Sequence, residues 1–160
     1  FRRGYIDQAL PIIDGLLNAQ PTDPFFHELK GQMLFENGRV HAAVEPYREA
    51  VRLAPSEPLL RVGFAQAAIE TGDDVLLAEA TSHLNEALRR EPNLSAGWRL
   101  LVIAYGRQGQ TGNMELARAE LALLRGQRFD ALHFAERAER NLPQGSPAWL
   151  RAQDIRAQLD

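Results

Sequence analysis

The 160-residue chain has no cysteine, which excludes disulfide staples and thiol chemistry and leaves its redox compartment open. It has no excess of basic charge: 18 basic residues face 21 acidic ones, a net charge of −3. Neutralising phosphates takes a basic stripe, so nucleic acid is not an expected partner. No apolar run reaches the ~18 residues that a membrane-spanning helix needs. There is no H-E-x-x-H. The one His-Glu pair is His27-Glu28, and Gly31 stands where the second imidazole would be, so two zinc ligands one turn apart are missing. His41, His83 and His133 stand alone in the sequence. Gly106, Gly109 and Gly112 do not spell G-x-G-x-x-G, follow no strand and precede no Gly-Lys-Ser/Thr. They read as a long turn between helices rather than a phosphate loop. Asp73-Asp74 reads as a solvated pair in a turn, and no serine stands in a nucleophile elbow. Catalytic residues: none are expected; metal ligands: none; cofactor: none in this chain.

What is there is a repeat. A turn glycine, an alanine and then a proline twelve residues after the alanine are expected to recur as Gly4, Ala9, Pro21; Gly38, Ala43, Pro55; Gly72, Ala80, Pro92; and Gly126, Ala131, Pro143. Punctuation at about 34 residues marks stacked helix-turn-helix units, and such arrays serve as binding surfaces. The expected fold class is all-α, a right-handed α-solenoid of about nine helices. Pro21 to Pro55 is 34 residues and Pro55 to Pro92 is 37, but Pro92 to Pro143 is 51. One and a half repeats must hold three helices there, at about 95–108, 113–125 and 128–141.

The expected single domain thus divides into the second half of a repeat (1–23), two repeats (24–57 and 58–94), an irregular one-and-a-half repeat (95–143) and a C-terminal capping helix (144–160). Asp23-Pro24 and Ser146-Pro147 are helix starts, a capping side chain followed by proline. His27, Gly31 and Leu34 share one helix face, and Ala43, Tyr47 and Ala50 share another. Gly31 and Ala43 are small so that two helices can approach, and Tyr47 fills the remaining gap. Phe64, Ala65 and Ala68 repeat the first pattern; Ala80, Leu84 and Ala87 repeat the second. Three extra residues between Gly72 and Ala80 predict a longer turn around Asp73-Asp74. Leu116, Ala119, Leu121, Ala122 and Leu124 should give the middle helix two packing faces. Trp149, Leu150, Ile155 and Leu159 belong to the capping helix. Because Phe1-Arg2-Arg3-Gly4 enters the pattern half-way, the chain is expected to be a piece of a longer protein. Tyr5, Ile6, Leu10, Ile13, Leu16 and Leu17 are then expected to leave an apolar face open to self-association through residues 5–17.

The order Trp98, Leu101, Val102, Tyr105, Gly109 resembles the signature of the tetratricopeptide repeat, with Val102 in place of a small residue and looser packing expected around it. By that resemblance His27 occupies a position often held by an aromatic residue. A narrower resemblance lies in the run from Ala119 to Gly126 (Ala-Glu-Leu-Ala-Leu-Leu-Arg-Gly) and in the run from Gly145 to Ile155, which look like the tail of bacterial BepA-type zinc metalloproteases. Phe26-His27-Glu28-Leu29-Lys30-Gly31-Gln32 is similar to the same family's repeat region. The resemblance implies the repeat domain of a periplasmic gluzincin protease, with zinc held only by the protease domain, and with that domain and client proteins as partners. A tetratricopeptide assembly factor or adaptor without a protease is the alternative. A stand-alone hydrolase, the third reading, has no H-E-x-x-H behind it.

In this repeat class the first helix of each unit lines the groove. The expected protein-binding residues are Glu28, Gln32, Phe35 and Glu36; Val62, Gln66, Ile69 and Glu70; and Arg99, Ile103 and Arg107. The tetratricopeptide resemblance implies that co-chaperone members grip a peptide's C-terminal carboxylate with lysines and asparagines in the groove. Glu28, Gln32, Val62 and Gln66 stand at those positions here, which argues against such a carboxylate clamp. Apolar patches flanked by glutamates and two arginines suit an extended or helical segment of protein.

Overall fold

A computed structural model describes residues 2–160, with side chains from Gly4 onward. Among the described residues it contains nine α-helices and no strand: α1 (Arg2–Ala19), α2 (Pro24–Glu36), α3 (Val40–Leu53), α4 (Pro58–Glu70), α5 (Asp74–Arg90), α6 (Ser95–Arg107), α7 (Thr111–Leu124), α8 (Arg128–Asn141) and α9 (Pro147–Leu159). They form two compact units, one ending at Arg90 and one running from Glu91 to Asp160.

The helix starts follow from side-chain chemistry. Asp23 Oδ1 accepts from the Phe25 N–H at 2.9 Å, and Ser146 Oγ accepts from the Trp149 N–H at 3.2 Å. Each satisfies a donor that the helix itself cannot. A second device recurs six residues after three of the repeat prolines. His27 Nε2 donates to the Pro21 carbonyl at 2.8 Å, Arg61 Nε to the Pro55 carbonyl at 3.0 Å, and Trp98 Nε1 to the Pro92 carbonyl at 2.8 Å. Three different side chains thus tie the start of a first helix to the turn before it.

In the first unit, α3 packs between α2 and α4, and α5 packs on α4. Ala43, Ala50, Phe64, Ala65, Ala68, Ala80, Leu84 and Ala87 are inaccessible to solvent, as the spacing of the two helix patterns predicts. Tyr47 lies between two glycines: a Cβ on Gly31 would meet its ring at 2.8 Å, and one on Gly63 at 2.7 Å. Across the outer helices, Arg48 Nη2 on α3 donates to both carboxylate oxygens of Glu79 on α5, at 2.8 and 3.0 Å, while its Nη1 donates to Glu45.

In the second unit three helices fill the Pro92–Pro143 interval, as the register break predicts. The middle one, α7, packs on α6 and α8 and also on α9. Ala119, Ala135 and Ile155 form the buried centre, with Leu116, Leu123, Phe134 and Leu159 packed around it. Arg151 of α9 forks onto Glu120 of α7 at 2.5 and 3.0 Å.

Several expectations are corrected. Gly4 lies inside α1, not in a turn. The three residues inserted after Gly72 lengthen no turn; they extend α5, which has 17 residues where α3 has 14. Asp73 Oδ1 accepts from the Leu76 N–H at 2.9 Å, so the insertion continues as helix from a capped start. Gly106 and Gly112 belong to α6 and α7, and only Gly109 of the three has positive φ, +70°. The connection is therefore short. Leu124 is 39% exposed, so it turns away from the packing faces expected of the middle helix. On α1, Ile6 and Ile13 are buried while Tyr5 and Leu16 stay exposed. The apolar face left open is therefore narrower than residues 5–17, and it includes Ile12, 67% exposed.

His83 on α5 gives the first unit a pH dependence. Its ring meets Phe64 edge-on at 4.6 Å, and its Nδ1 accepts from Arg61 at 2.8 Å. Burial first, then Arg61 and Arg48, hold its pKa below the ordinary imidazole value, with Glu79 pulling the other way. A depressed pKa means that the unfolded chain takes the proton more readily. Stability from this residue is full above the unfolded value of ~6.5 and is lost as pH falls through the lowered folded value. The melting temperature should therefore drop between about pH 7 and pH 5, and the drop should shrink in His83→Phe. Equal slopes in both proteins would show that His83 is not the group responsible.

Candidate protein-binding surfaces

The expected binding residues fall into both units. On α2 and α4, Gln32, Glu36, Gln66 and Glu70 are exposed, while Glu28, Phe35 and Val62 are half-buried. Ile69 is 3% exposed. It is a core residue of α4 and is removed from the binding set; its place in the helical period faces the hairpin interior rather than solvent. On α6, Arg99, Ile103 and Arg107 are exposed.

Gln32 and Glu36 come together. Gln32 Nε2 donates to Glu36 Oε1 at 3.0 Å, and both line a hollow of about 350 Å³ between α1 and α2. Its walls are Tyr5, Ile12, Leu29 and Met33 among others, so one acidic edge borders an apolar floor. Glu28 lines the Tyr47 side of α2. Burial raises its pKa above the usual carboxylate range. The Tyr47 phenol is pushed up to about 12 by burial and by the charges of Glu28 and Glu36. The phenol is therefore neutral at every physiological pH. Phe35, Val62, Gln66 and Glu70 line none of the hollows described here.

A second hollow of about 590 Å³ is lined by Leu17, His27, Lys30, Leu34, Pro46 and Glu49 among others. Lys30 Nζ is paired with Asp14 at 2.7 Å. His27 is half-buried and engaged by the Pro21 carbonyl. Among the described residues no three His, Asp or Glu side chains cluster in a way that could hold a metal ion, and no helix is long and apolar enough to cross a membrane.

In the second unit Arg99 and Ile103 line a hollow of about 260 Å³ between α6, α7 and α8. Val102, the large residue at a small position, lines it too. The α7 wall is Arg118, Leu121, Ala122 and Arg125, and Phe134 closes it from α8. Sequence reasoning missed that wall, although 118, 121, 122 and 125 follow the i, i+3, i+4, i+7 spacing of one helix face. Attention to the apolar positions of α7 hid the two arginines among them. Arg107 does not line this hollow.

No family model matches the chain, and no curated protein matches it. Solved structures do resemble it. One is MamA, at a TM-score of 0.71 and 15% identity over 98% of this chain and 88% of that one. Another is MamA from Desulfovibrio magneticus RS-1, at 0.69 and 18% over 99% and 85%. A third is TTC0263, a thermophilic TPR protein of Thermus thermophilus, at 0.54 and 21% over 95% and 91%. At such identities the likeness establishes the fold: an all-α solenoid of tetratricopeptide type.

Proposed function

We infer that the chain is a non-catalytic scaffold that holds segments of other proteins. The observation that carries this reading is the exposure of large apolar side chains, on the first helices as well as at Val75 of α5 and Phe129 of α8. Phe25 and Leu29 on α2, Leu59 on α4 and Ile103 on α6 are 58%, 39%, 63% and 40% exposed, among the charged residues described above. Repeat arrays present such surfaces to partners, and an extended or helical segment can lay its own apolar side chains on them. The exposed Tyr5, Ile12 and Leu16 offer a second copy of the chain a similar surface, and sedimentation would read that association.

The finer reading is the substrate-engaging repeat domain of a periplasmic zinc metalloprotease, in contact with its own protease domain, which alone would hold the zinc. It rests on the runs from Ala119 to Gly126, from Gly145 to Ile155 and from Phe26 to Gln32. An adaptor without a protease is favoured by the extent of the fold likeness, which takes in 88% of the MamA chain and 91% of TTC0263.

A photo-crosslinking residue placed at Gln32, Gln66 or Ile103 tests the scaffold. Protein crosslinks are expected there and not at Arg52 or Arg89, exposed positions on second helices. Uniform crosslinking at all five would sink the reading. Peptidase activity and bound zinc are both expected to be blank. Stoichiometric zinc that is lost in His27→Ala would overturn the non-catalytic part.

A further inference from the structure

We propose that the hollow between α6, α7 and α8 takes an acidic segment of a partner protein, anchored by one aliphatic or aromatic side chain. The proposal rests on the scaffold reading and names the partner chemistry of one surface within it.

Size argues for an anchor side chain. The hollow has a volume of about 260 Å³, below the ~300–1,000 Å³ of sites that enclose small molecules. Its floor is apolar: Leu121 and Ala122 are buried, Val102 and Phe134 half-buried, and Ile103 is 40% exposed. Such a floor gains from covering by an apolar side chain, while the polar lining residues are Gln127 and three arginines.

Charge argues for acidity. Three arginines line the hollow, Arg99 from α6 and Arg118 and Arg125 from α7 and its C-cap, and no carboxylate does. The chain as a whole carries −3, so this concentration of one sign runs against its average. Three carboxylates of α7 and α8 are held by arginines outside the hollow: Glu120 by Arg151, Glu139 by Arg156, and Glu115 by Arg137 at 3.0 Å. Asp130 and Glu136 of α8 do not line it. Arg118 lies 3.5 Å from Glu115, and its guanidinium stands over the Phe134 ring at 5.8 Å. Arg99 and Arg125 make no ion pair among the described residues and are exposed. Two unpaired guanidiniums beside an apolar floor match an apolar anchor flanked by aspartate or glutamate, with planar donors that suit carboxylates. This differs from the carboxylate clamp rejected above at Glu28, Gln32, Val62 and Gln66, because it lies on another helix set and uses arginines.

The probe is a short fluorescein-labelled peptide of glutamates and aspartates around a central Leu-Phe pair. Its two controls carry lysines for the acids, or alanines for Leu-Phe. Binding is read by anisotropy at low and high salt. The acidic peptide should bind, weaken with salt and exceed both controls. Arg99→Glu and Arg125→Glu should each weaken it by about tenfold, the loss of one charge-assisted hydrogen bond. Since neither arginine holds the fold together, their melts should match that of the parent. Ile103→Asp should also weaken binding. The proposal is overturned if the lysine peptide binds as well, if the alanine peptide binds as well, or if the two reversals leave affinity unchanged. Crosslinks at Gln32 and Gln66 without peptide binding here would overturn this proposal and leave the scaffold standing. Crosslinks nowhere would overturn both.

Discussion

Tyr47→Ala is expected to cost the first unit about 3–5 kcal/mol, the usual loss for a buried ring cut to a methyl. The ring is 6% exposed and is held by its edges. Its Cδ2–Cε2 edge abuts Gly31 of α2, and its Cδ1–Cε1 edge abuts Gly63 of α4. Sliding away from one glycine drives it into the other, so the site cannot adjust. Gly31→Ala or Gly63→Ala should each cost about 1–3 kcal/mol by overpacking, although alanine favours a helix over glycine by ~1 kcal/mol. In the Tyr47→Ala background the added methyl has room, so the same glycine changes should become neutral or stabilising. A urea-denaturation double-mutant cycle reads this reversal of sign as a coupling energy. Additive effects would show that the ring is not clamped. The clamp also bears on function, because it fixes the spacing of α2 and α4 and hence of the exposed Gln32 and Gln66.

The repeat pattern, the two capped helix starts and the alanine contacts were legible in the sequence, since each depends on residues near one another along the chain. Helix count followed from the proline spacing. The misreadings share a cause: spacing tells where a residue lies along the chain but not whether a helix or a turn absorbs it. The insertion before Ala80 could lengthen either, and the capping of Leu76 by Asp73 selects the helix. Gly106 and Gly112 looked like turn residues because they flank Gly109. Ile69 was assigned to the groove by its offset from the packing stripe, but the buried stripe of α4 is broad enough to include Ala65, Ala67, Ala68 and Ile69 together. The prolines' carbonyl partners were not legible at all. His27, Arg61 and Trp98 share only a side-chain N–H, a property that similarity of residue type does not reveal. Two of the nine residues lining the second-unit hollow, Arg99 and Ile103, were readable from the first-helix rule; the α7 wall needed the packing of three helices.

Gly112→Ala should destabilise the second unit, while Gly15→Ala should stabilise the first, although both replace a glycine inside a helix. Gly15 of α1 has nothing within 4 Å of its Cβ position, so alanine there should give the ordinary helix gain of ~1 kcal/mol. At Gly112 of α7 the Cβ would lie 2.6 Å from the Asn141 carbonyl oxygen and 2.8 Å from Leu142 Cγ and Cδ2. The obstacle includes backbone, not only the end of a flexible side chain. Asn141 is also tied back into α8, its Nδ2 donating to the Arg137 carbonyl at 2.8 Å. Relief therefore requires α8 to retreat from α7, and overpacking of this kind costs about 1–3 kcal/mol. The retreat also loosens Arg137 from Glu115, which is fully buried and has no hydrogen bond to either oxygen. Arg118 of α7 stays 3.5 Å from Glu115, but a buried carboxylate that loses the nearer of its two cations is still destabilised, so the cost of Gly112→Val, which forces a larger displacement, should exceed that of Gly112→Ala. Thermal melts of the three variants decide the matter. The expected order of stability is Gly15→Ala, parent, Gly112→Ala, Gly112→Val. Should Gly112→Ala melt at or above the parent, the close approach of α7 to the end of α8 is not a feature of the folded protein.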